Sequence, residues 1–181
     1  NNGFVFKTVG DAFCFAFQNS DDAVRASVQS QKLLNSVDWK DAEVKVRMGI
    51  HTGIAEWSGT DYMGYITLAR VSRVMSVAFG GQILVSNNAY EFSELKNSNE
   101  ITFRDLGERR LKDLTQPLKL YQIVSADIPS DFPSLNTLDA RPNNLPIQLS
   151  NFIGREKEIL HKVLGIIQSG WIARTQFLVK L

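Results

Sequence analysis

Large and small side chains alternate near the start of the chain, which predicts a β-hairpin over residues 4–17. Phenylalanines stand at every second position of its second half, and a Gly10-Asp11 pair divides the two halves. Glycine accepts the positive φ angle of a tight turn, so such a pair is typical of a hairpin connection. The hairpin would place its phenylalanines in the core and leave the Asp11 carboxylate at the turn.

Two later segments repeat apolar residues at helical spacing. The first covers residues 20–36, where Ser20 is a favoured N-cap and the two aspartates after it suit the positive end of the helix dipole. The second covers residues 67–79 and ends at Gly80-Gly81. Its apolar face consists of residues three or four positions apart: Leu68, Val71, Met75 and Ala78. Both helices are expected to pack on a sheet.

The remaining apolar runs predict strands. Residues 43–50 alternate apolar and basic positions, as a half-buried strand does, and residues 82–86 form a short strand. Residues 51–64 are predicted to be a long loop region, residues 87–95 a short helix and residues 103–124 a turn-rich β segment. Strands and helices therefore interleave, which favours an α+β or α/β sheet covered by helices.

Composition and charge are those of an ordinary folded protein. The chain has 181 residues, of which 44% are hydrophobic and 22% charged, and its net charge of +1 predicts no nucleic-acid or membrane partner. No apolar run reaches the roughly 20 residues of a membrane helix. Cys14 is the only cysteine, which excludes an internal disulfide and suits a reducing, cytoplasmic compartment.

Proline usage predicts a domain boundary late in the chain. Four of the five prolines fall within residues 127–149, where polar residues fill the gaps, so this stretch is interpreted as an extended linker. Residues 1–126 would then form the main domain, and residues 150–181 would begin a second one. The chain opens at Asn1 almost directly on a strand pattern, which we interpret as a fragment of a longer protein.

Three charged side chains stand out against this apolar background. Asp11 alone indicates little, because aspartate is common in turns, where its side chain caps its own backbone. Strand parity places Lys7 on one apolar face with Val5 and Val9, where a buried lysine needs a polar partner. Arg73 lies off the apolar stripe of its helix, where most arginines are solvated. A carboxylate and a guanidinium would suit a divalent cation and a polyphosphate.

Five segments, in this order and spacing, resemble the catalytic domain of class III adenylate/guanylate cyclases: FKTVGDAFCFAF, VRMGIHTGIAE, GTDYMGYITLARVSRVM, FGGQILVS and FRDLGERRLKDLTQPLKLYQIV. The resemblance covers roughly residues 1–125. It implies an α+β fold in which helices cover a ferredoxin-like sheet, incomplete at its N-terminus. It also implies the conversion of ATP to 3′,5′-cyclic AMP and pyrophosphate in intracellular signalling.

The resemblance implies roles for individual residues. Asp11 matches the second of two metal-binding aspartates, so it would hold Mg²⁺ or Mn²⁺, with two ions expected per site. Lys7 matches the lysine that reads adenine, and Asp61 lies near the other base-reading position. Arg73 matches the arginine that stabilises the transition state. In the family these groups come from two subunits, so the active form would be a head-to-tail homodimer.

Three departures keep a second interpretation open. Ala69 stands where the family has an asparagine one turn before the arginine, and nothing here matches the strand that carries the first metal aspartate. Between Asp61 and Ala69 the chain is also one residue longer than the common pattern. A catalytically decayed domain that senses nucleotide or mediates dimerisation would explain these departures. Lys7 favours ATP as the nucleotide, with GTP as the alternative.

Residues 144–168 resemble the opening of the nucleotide-binding module of STAND-type signalling ATPases, which implies a multidomain regulator. No GxxxxGK(S/T) phosphate loop occurs before the chain ends, so no ATP-binding residue is assigned there. His51, within GIHTG, is interpreted as a structural histidine at a strand end rather than a ligand.

Overall fold

Nine strands and three α-helices lie in the part of the chain that the computed structural model describes, which is residues 3–9, 11–40, 43–140 and 176–180. The strands are β1 Phe4–Val9, β2 Ala12–Phe17, β3 Met48–Gly53, β4 Glu56–Trp57, β5 Tyr62–Met63, β6 Ile83–Ser86, β7 Ile101–Arg109, β8 Leu118–Ser125 and β9 Gln176–Lys180. The helices are α1 Ser20–Ser36, α2 Tyr65–Ser76 and α3 Asn87–Glu91. None of these three helices is long and apolar enough to cross a membrane.

Seven of the strands form one mixed sheet in the order β1-β2-β9-β3-β6-β8-β7, and β4 pairs with β5 as a separate hairpin. β3 and β6 run parallel, while the other neighbours are antiparallel. One core, which contains Val24 and Ile50, lies between the sheet and α1. A second core, which contains Val74 and Leu84, lies between the sheet and α2. The expected α+β fold, with helices covering a sheet, is confirmed.

The centre of the sheet is filled by β9, which pairs with β2 on one side and β3 on the other. In this position it pairs the backbone groups of two strands that would otherwise present open edges inside the sheet. β9 belongs to residues 150–181, which the sequence analysis assigned to the start of an ATPase-like module. The rest of that segment lies outside the described residues, so the module remains a prediction.

The N-cap of α1 is Asn19 rather than the predicted Ser20. The Asn19 side-chain oxygen accepts a hydrogen bond of 2.7 Å from the backbone N–H of Asp22. Ser20 is buried instead, and its hydroxyl donates to the carbonyl oxygen of Ala89 in α3 at 2.7 Å. Ser20 therefore ties α1 to α3, a contact that spans 69 positions and is invisible in the local sequence.

β3 is buried on both faces, whereas its sequence predicts a half-buried strand over residues 43–50. Residues 48–52 are all buried, and residues 43–47 precede the strand. The reason is the position of β3 in the sheet: β9 and β6 flank it, and both α1 and α2 contact it. A central strand covered by helices has no solvent face, so alternation of polarity is no guide to its burial.

Two glycines of β3 let α2 lie directly against the backbone of this strand. A Cβ atom on Gly49 would stand 2.6 Å from the backbone nitrogen of Met75, and one on Gly53 would stand 2.5 Å from the Thr67 hydroxyl oxygen. A larger residue at either position would force the helix or its side chains to move. The helix that carries Arg73 is thereby held against the centre of the sheet.

β1 is an edge strand, and most of its residues are exposed. Lys7 is therefore not buried, contrary to the prediction: its side chain is 44% exposed. Phe13, predicted to be in the core, is also 44% exposed, whereas Phe17 is buried. The prediction was wrong at these positions because an alternating pattern does not distinguish an edge hairpin from a covered one.

Residues 128–139, which we call the strap, pack on the sheet although they fall within the predicted linker 127–149. Ile128 lies in the core beneath α1, and Leu135 lies in the core beneath α2. Residues 141–149 lie outside the described residues. The packed core of the domain therefore continues past residue 126.

Candidate active site

The structure brings together two residues to which the resemblance assigned base-reading roles. Lys7 lies on β1, and Asp61 lies in the turn between β4 and β5, 54 positions later in the chain. The Lys7 Nζ atom is 2.5 Å from Asp61 Oδ2. The two side chains are 44% and 33% exposed, so a ligand can reach both of them.

Each member of this pair shifts the pKa of the other in the direction that favours its charged form. The hydrogen bond from Lys7 lowers the pKa of the Asp61 carboxyl, and the bond to Asp61 raises the pKa of the Lys7 ammonium group. An exposed ion pair adds little to stability, because water screens it. What the pair supplies is a fixed arrangement of one donor beside one acceptor.

Local hydrogen bonds hold the Asp61 side chain in place. The Asp61 carbonyl oxygen accepts bonds from the backbone N–H and the hydroxyl of Ser58, at 2.9 and 2.8 Å. Asp61 Oδ1 accepts a bond of 2.8 Å from the backbone N–H of Tyr62. One carboxylate oxygen is thus bound to its own backbone turn, while the other meets Lys7. The sequence predicted a loop here, and the short β4–β5 hairpin is what orders it.

Four aromatic rings join the β4–β5 hairpin to β1: Phe4, Phe6, Trp57 and Tyr62. The Phe6 and Tyr62 rings meet edge to face with their centroids 5.0 Å apart, a geometry that contributes about 0.5–1.5 kcal/mol beyond the buried area. Lys7 directly follows one of these two rings, and Asp61 directly precedes the other. The aromatic contacts therefore bring the two charges together.

Arg73 lies in the last turn of α2, and its guanidinium forms an ion pair with the Asp113 carboxylate. Asp113 lies in the turn between β7 and β8, 40 positions later. The Arg73 side chain is 35% exposed and that of Asp113 is 58% exposed. Asp113 was not among the predicted site residues, because its partner lies on another element and an aspartate in a turn-rich segment gives no local signal.

A cleft of about 710 Å³ adjoins this ion pair. α2 contributes Ala69 and Arg70 to its wall, the β7–β8 turn contributes Asp113, and β8 contributes Lys119. Both signs of charge therefore line the cleft. Ala69, which the resemblance aligns with a family asparagine, places only a methyl group four positions before Arg73.

Asp11, the predicted metal ligand, lies exposed in the β1–β2 turn. Within the ranges that the structure describes, no three acidic, histidine or cysteine side chains come together as a metal-binding group. A Mg²⁺ ion held mainly by water and substrate phosphates needs only one or two protein carboxylates. A single exposed carboxylate such as Asp11 fits an ion of this kind.

His51 is buried in β3 and lies away from solvent, as expected of a structural histidine. Its Nδ1 atom shares a hydrogen bond of 2.7 Å with the Ser86 hydroxyl. Burial lowers the pKa of the imidazole to about 4, so His51 is neutral at physiological pH. Its Nε2 atom has no hydrogen-bond partner among the described residues. His51 is thus a core residue of the strand that supports α2.

Comparison with known protein families gives one match over most of the domain. The family described as "Adenylate and Guanylate cyclase catalytic domain" matches residues 4–125. An uncharacterized protein of Mycobacterium tuberculosis is 30% identical over 151 residues, which cover 83% of this chain and 50% of that protein. A receptor-type adenylate cyclase of Trypanosoma brucei brucei is 28% identical over 163 residues, which cover 66% of this chain and 13% of that protein. The chain therefore spans at most half the length of these curated relatives.

Solved structures with the same fold are also nucleotide cyclases. One is an adenylate cyclase of Trypanosoma brucei, solved in its monomeric state. It matches this chain with a TM-score of 0.60 and 24% sequence identity, over 74% of each chain. A guanylate cyclase domain of Catenaria anguillulae in complex with GTP has a TM-score of 0.53 and 16% identity, covering 68% of this chain and 72% of that one. At these identities the likeness concerns the fold.

Proposed function

The chain belongs to the adenylate and guanylate cyclase catalytic domain family, and we propose that it converts ATP to 3′,5′-cyclic AMP and pyrophosphate in intracellular signalling. The family match supports nucleotidyl cyclase chemistry, and the choice of ATP rests on the likeness of Lys7 to the adenine-reading lysine of the family. Because the chain spans about half the length of its mycobacterial relatives, the activity of the whole protein is part of the proposal. So is a cytoplasmic location, where ATP is available.

The contact between Lys7 and Asp61 is the observation that carries the proposal. A purine edge presents a hydrogen-bond donor beside an acceptor, and this pair presents the complementary acceptor and donor. Adenine would donate from its amino group to Asp61 and accept at N1 from Lys7. Guanine would accept at O6 from Lys7 and donate from N1–H to Asp61. The pair therefore supports a purine nucleotide, and GTP belongs in the test beside ATP.

In the proposed reaction the ribose 3′-oxygen attacks the α-phosphorus of ATP. A new phosphorus–oxygen bond forms, the bond to the bridging oxygen of the β-phosphate breaks, and pyrophosphate leaves with that electron pair. The proton of the 3′-hydroxyl passes to solvent. Charge grows on the phosphoryl oxygens in the transition state, and the Arg73 guanidinium would stabilise it there through charge-assisted hydrogen bonds.

Asp11 would hold a divalent cation that arrives with the triphosphate, Mg²⁺ or Mn²⁺. When bound, such ions neutralise the charge of the triphosphate and activate the attacking hydroxyl. We propose two ions per site. The contribution of this chain is one exposed carboxylate at the turn of the β1–β2 hairpin.

We propose a head-to-tail homodimer as the active form. Large apolar side chains are exposed on the β1–β2 hairpin and on the segments beside α2: Phe4, Val5, Val9, Phe13, Trp57, Met63, Tyr65 and Ile66. Exposed apolar groups gathered on one region favour a protein–protein contact. A second copy on this surface would let Asp11 of one chain serve the Lys7–Asp61 pair of the other.

A decayed, nucleotide-sensing or dimerisation domain is the second candidate, and Ala69 is the observation that favours it. This alanine lines the cleft beside Arg73, where a catalytic family member is expected to place an asparagine amide. A domain that has lost this group could still hold a purine between Lys7 and Asp61. Binding without turnover separates this candidate from the enzyme.

A cyclase assay on the complete protein tests the proposal. ATP and GTP are supplied in turn with Mn²⁺, and Asp11→Ala and Arg73→Ala are compared with Lys32→Ala, which removes the cation of an exposed ion pair on α1. We expect cyclic AMP from the wild type and from Lys32→Ala, and a loss of about 10²- to 10³-fold in the two site variants.

Two other results would contradict the proposed enzyme or the proposed residue roles. A folded, dimeric protein that binds nucleotide but forms no product would support the decayed domain. Cyclic AMP formation that persists in both Asp11→Ala and Arg73→Ala would contradict the roles assigned to these residues.

A further inference from the structure

The partner of the Arg73 guanidinium is a carboxylate on another part of the fold. Arg73 Nη2 donates to Asp113 Oδ2, which joins the last turn of α2 to the β7–β8 turn. Arginine has five N–H donors in a planar fork, so one edge can hold a carboxylate while another meets a phosphate. Asp113 can therefore orient the guanidinium without occupying all of it.

The backbone at position 113 favours glycine and accommodates asparagine and aspartate, so it does not by itself require an aspartate. Its φ angle is 61°, in the left-handed region that favours glycine. A residue with a Cβ atom costs about 1 kcal/mol there, and asparagine tolerates the region as well as aspartate does. What aspartate adds at this position is its charge, and that charge meets Arg73.

The turn that carries Asp113 is held by the strap. The backbone N–H of Leu138 donates to the Arg110 carbonyl oxygen at 3.0 Å, and the Arg110 N–H donates to Asp139 Oδ2 at 2.5 Å. Leu135 of the strap is buried in the same core as Leu111. The start of the turn is therefore bound to the domain by both hydrogen bonds and packing.

Position 69 of helix α2 provides no hydrogen bond that could orient the Arg73 side chain. The side chain four positions earlier, on the same face, is the methyl group of Ala69, which can form no hydrogen bond. Both Ala69 and Asp113 line the cleft beside the ion pair. The carboxylate that meets the Arg73 guanidinium therefore comes from the β7–β8 turn and not from α2.

We propose that Asp113 is a positioning residue that orients the Arg73 guanidinium toward the phosphorus centre of the bound nucleotide. The inference rests on the proposed cyclase function. It extends the site to the β7–β8 turn and, through that turn, to the strap. A positioned guanidinium stabilises the transition state more than the bound substrate. Loss of the Asp113 carboxylate should therefore lower kcat more than it raises KM.

Asp113→Asn is the variant that tests this inference, because asparagine keeps the shape and suits the left-handed backbone. Asp127→Asn is its matched control. Asp127 also has a left-handed φ angle, 66°, and an exposed ion pair with a helix cation, Lys32, at 3.5 Å. The two variants therefore make the same chemical change in similar settings, one beside Arg73 and one away from it.

In the complete protein we expect Asp113→Asn to lower kcat about tenfold with KM within twofold of the wild type. Asp127→Asn should leave both unchanged. Asp113→Glu should recover part of kcat, since it restores the charge. The thermal unfolding midpoint should stay the same in all three variants, because exposed ion pairs add little stability. Arg73 side-chain NMR signals should show faster guanidinium rotation in Asp113→Asn alone.

Several outcomes would overturn the inference. A kcat for Asp113→Asn equal to that of Asp127→Asn, or higher than that of the wild type, would contradict a positioning role while leaving the cyclase function standing. A wild-type protein that forms no cyclic nucleotide would overturn the cyclase function, and the inference with it. An unchanged rate of Arg73 rotation in Asp113→Asn would show that the carboxylate does not hold the guanidinium.

Discussion

Lys7 Nζ and Asp61 Oδ2 are in direct contact at 2.5 Å, although Lys7 belongs to the seven-stranded sheet and Asp61 to the separate β4–β5 hairpin. This contact joins the edge strand β1 to the turn between β4 and β5. Each charge is maintained by the other, since the pKa of Lys7 is raised and that of Asp61 is lowered. A purine bound as proposed would contact both side chains.

Removal of either charge should weaken nucleotide binding, and removal of both should cost little more than removal of one. We expect Lys7→Ala and Asp61→Ala each to raise the KM for ATP at least tenfold, because each removes a charge-assisted hydrogen bond to the base. The double variant should lie within about twofold of the worse single variant. Steady-state kinetics check this, with Lys32→Ala as the control. Independent, multiplying effects would contradict joint recognition.

Trp57→Ala should release the β4–β5 hairpin from β1. Trp57 contacts the Phe4 and Tyr62 rings, and loss of these contacts should destabilise the protein by about 1 kcal/mol. Hydrogen exchange of residues 56–63 should accelerate, and the KM for ATP should rise. Leu33→Ala, at a position 61% exposed, is the control for loss of a surface apolar group. Unchanged exchange in the hairpin would show that the rings do not hold it.

The stability of the protein should fall as the pH drops from 6.5 to 4. Burial lowers the pKa of His51 from 6.5 to about 4, so the unfolded state takes up this proton first. The contribution of neutral His51 is complete above pH 6.5 and is lost toward pH 4, by at most about 3 kcal/mol. Urea unfolding at several pH values, compared with His51→Gln, measures it. An NMR titration of the His51 ring with a midpoint near 6.5 would contradict the prediction.

Leu135→Ala should destabilise the domain, although the residue lies in the stretch that composition suggested was a linker. Leu135 is 6% exposed in the core beneath α2, so its truncation should leave a cavity and cost about 2–4 kcal/mol. Leu138→Ala, in the same strap at 47% exposure, should cost much less. Chemical denaturation of both variants gives the comparison. Equal, small effects would show that the strap does not contribute to the core.

Most elements and their kinds were predictable from the sequence, although β4, β5 and β9 were missed. Alternation and a Gly-Asp pair were enough to predict the β1–β2 hairpin, and paired aspartates with an apolar face predicted α1 over its observed span, Ser20–Ser36. The helix predicted over residues 67–79 is present as Tyr65–Ser76. These elements depend on residues within a few positions of one another, so the sequence alone is enough to predict them. The family resemblance, which the match over residues 4–125 confirms, was readable for the same reason.

Which side chains meet depends on the tertiary structure. It placed β1 at the edge of the sheet and β3 at the centre, which exposed Lys7 and buried residues 48–52. It also brought Asp113 to Arg73 across 40 positions and folded the strap onto the core. Strand order and long-range contacts come from the balance of burial over the whole domain, and no local pattern of polarity carries that information. The candidate residues were therefore readable from the sequence, while their partners were not.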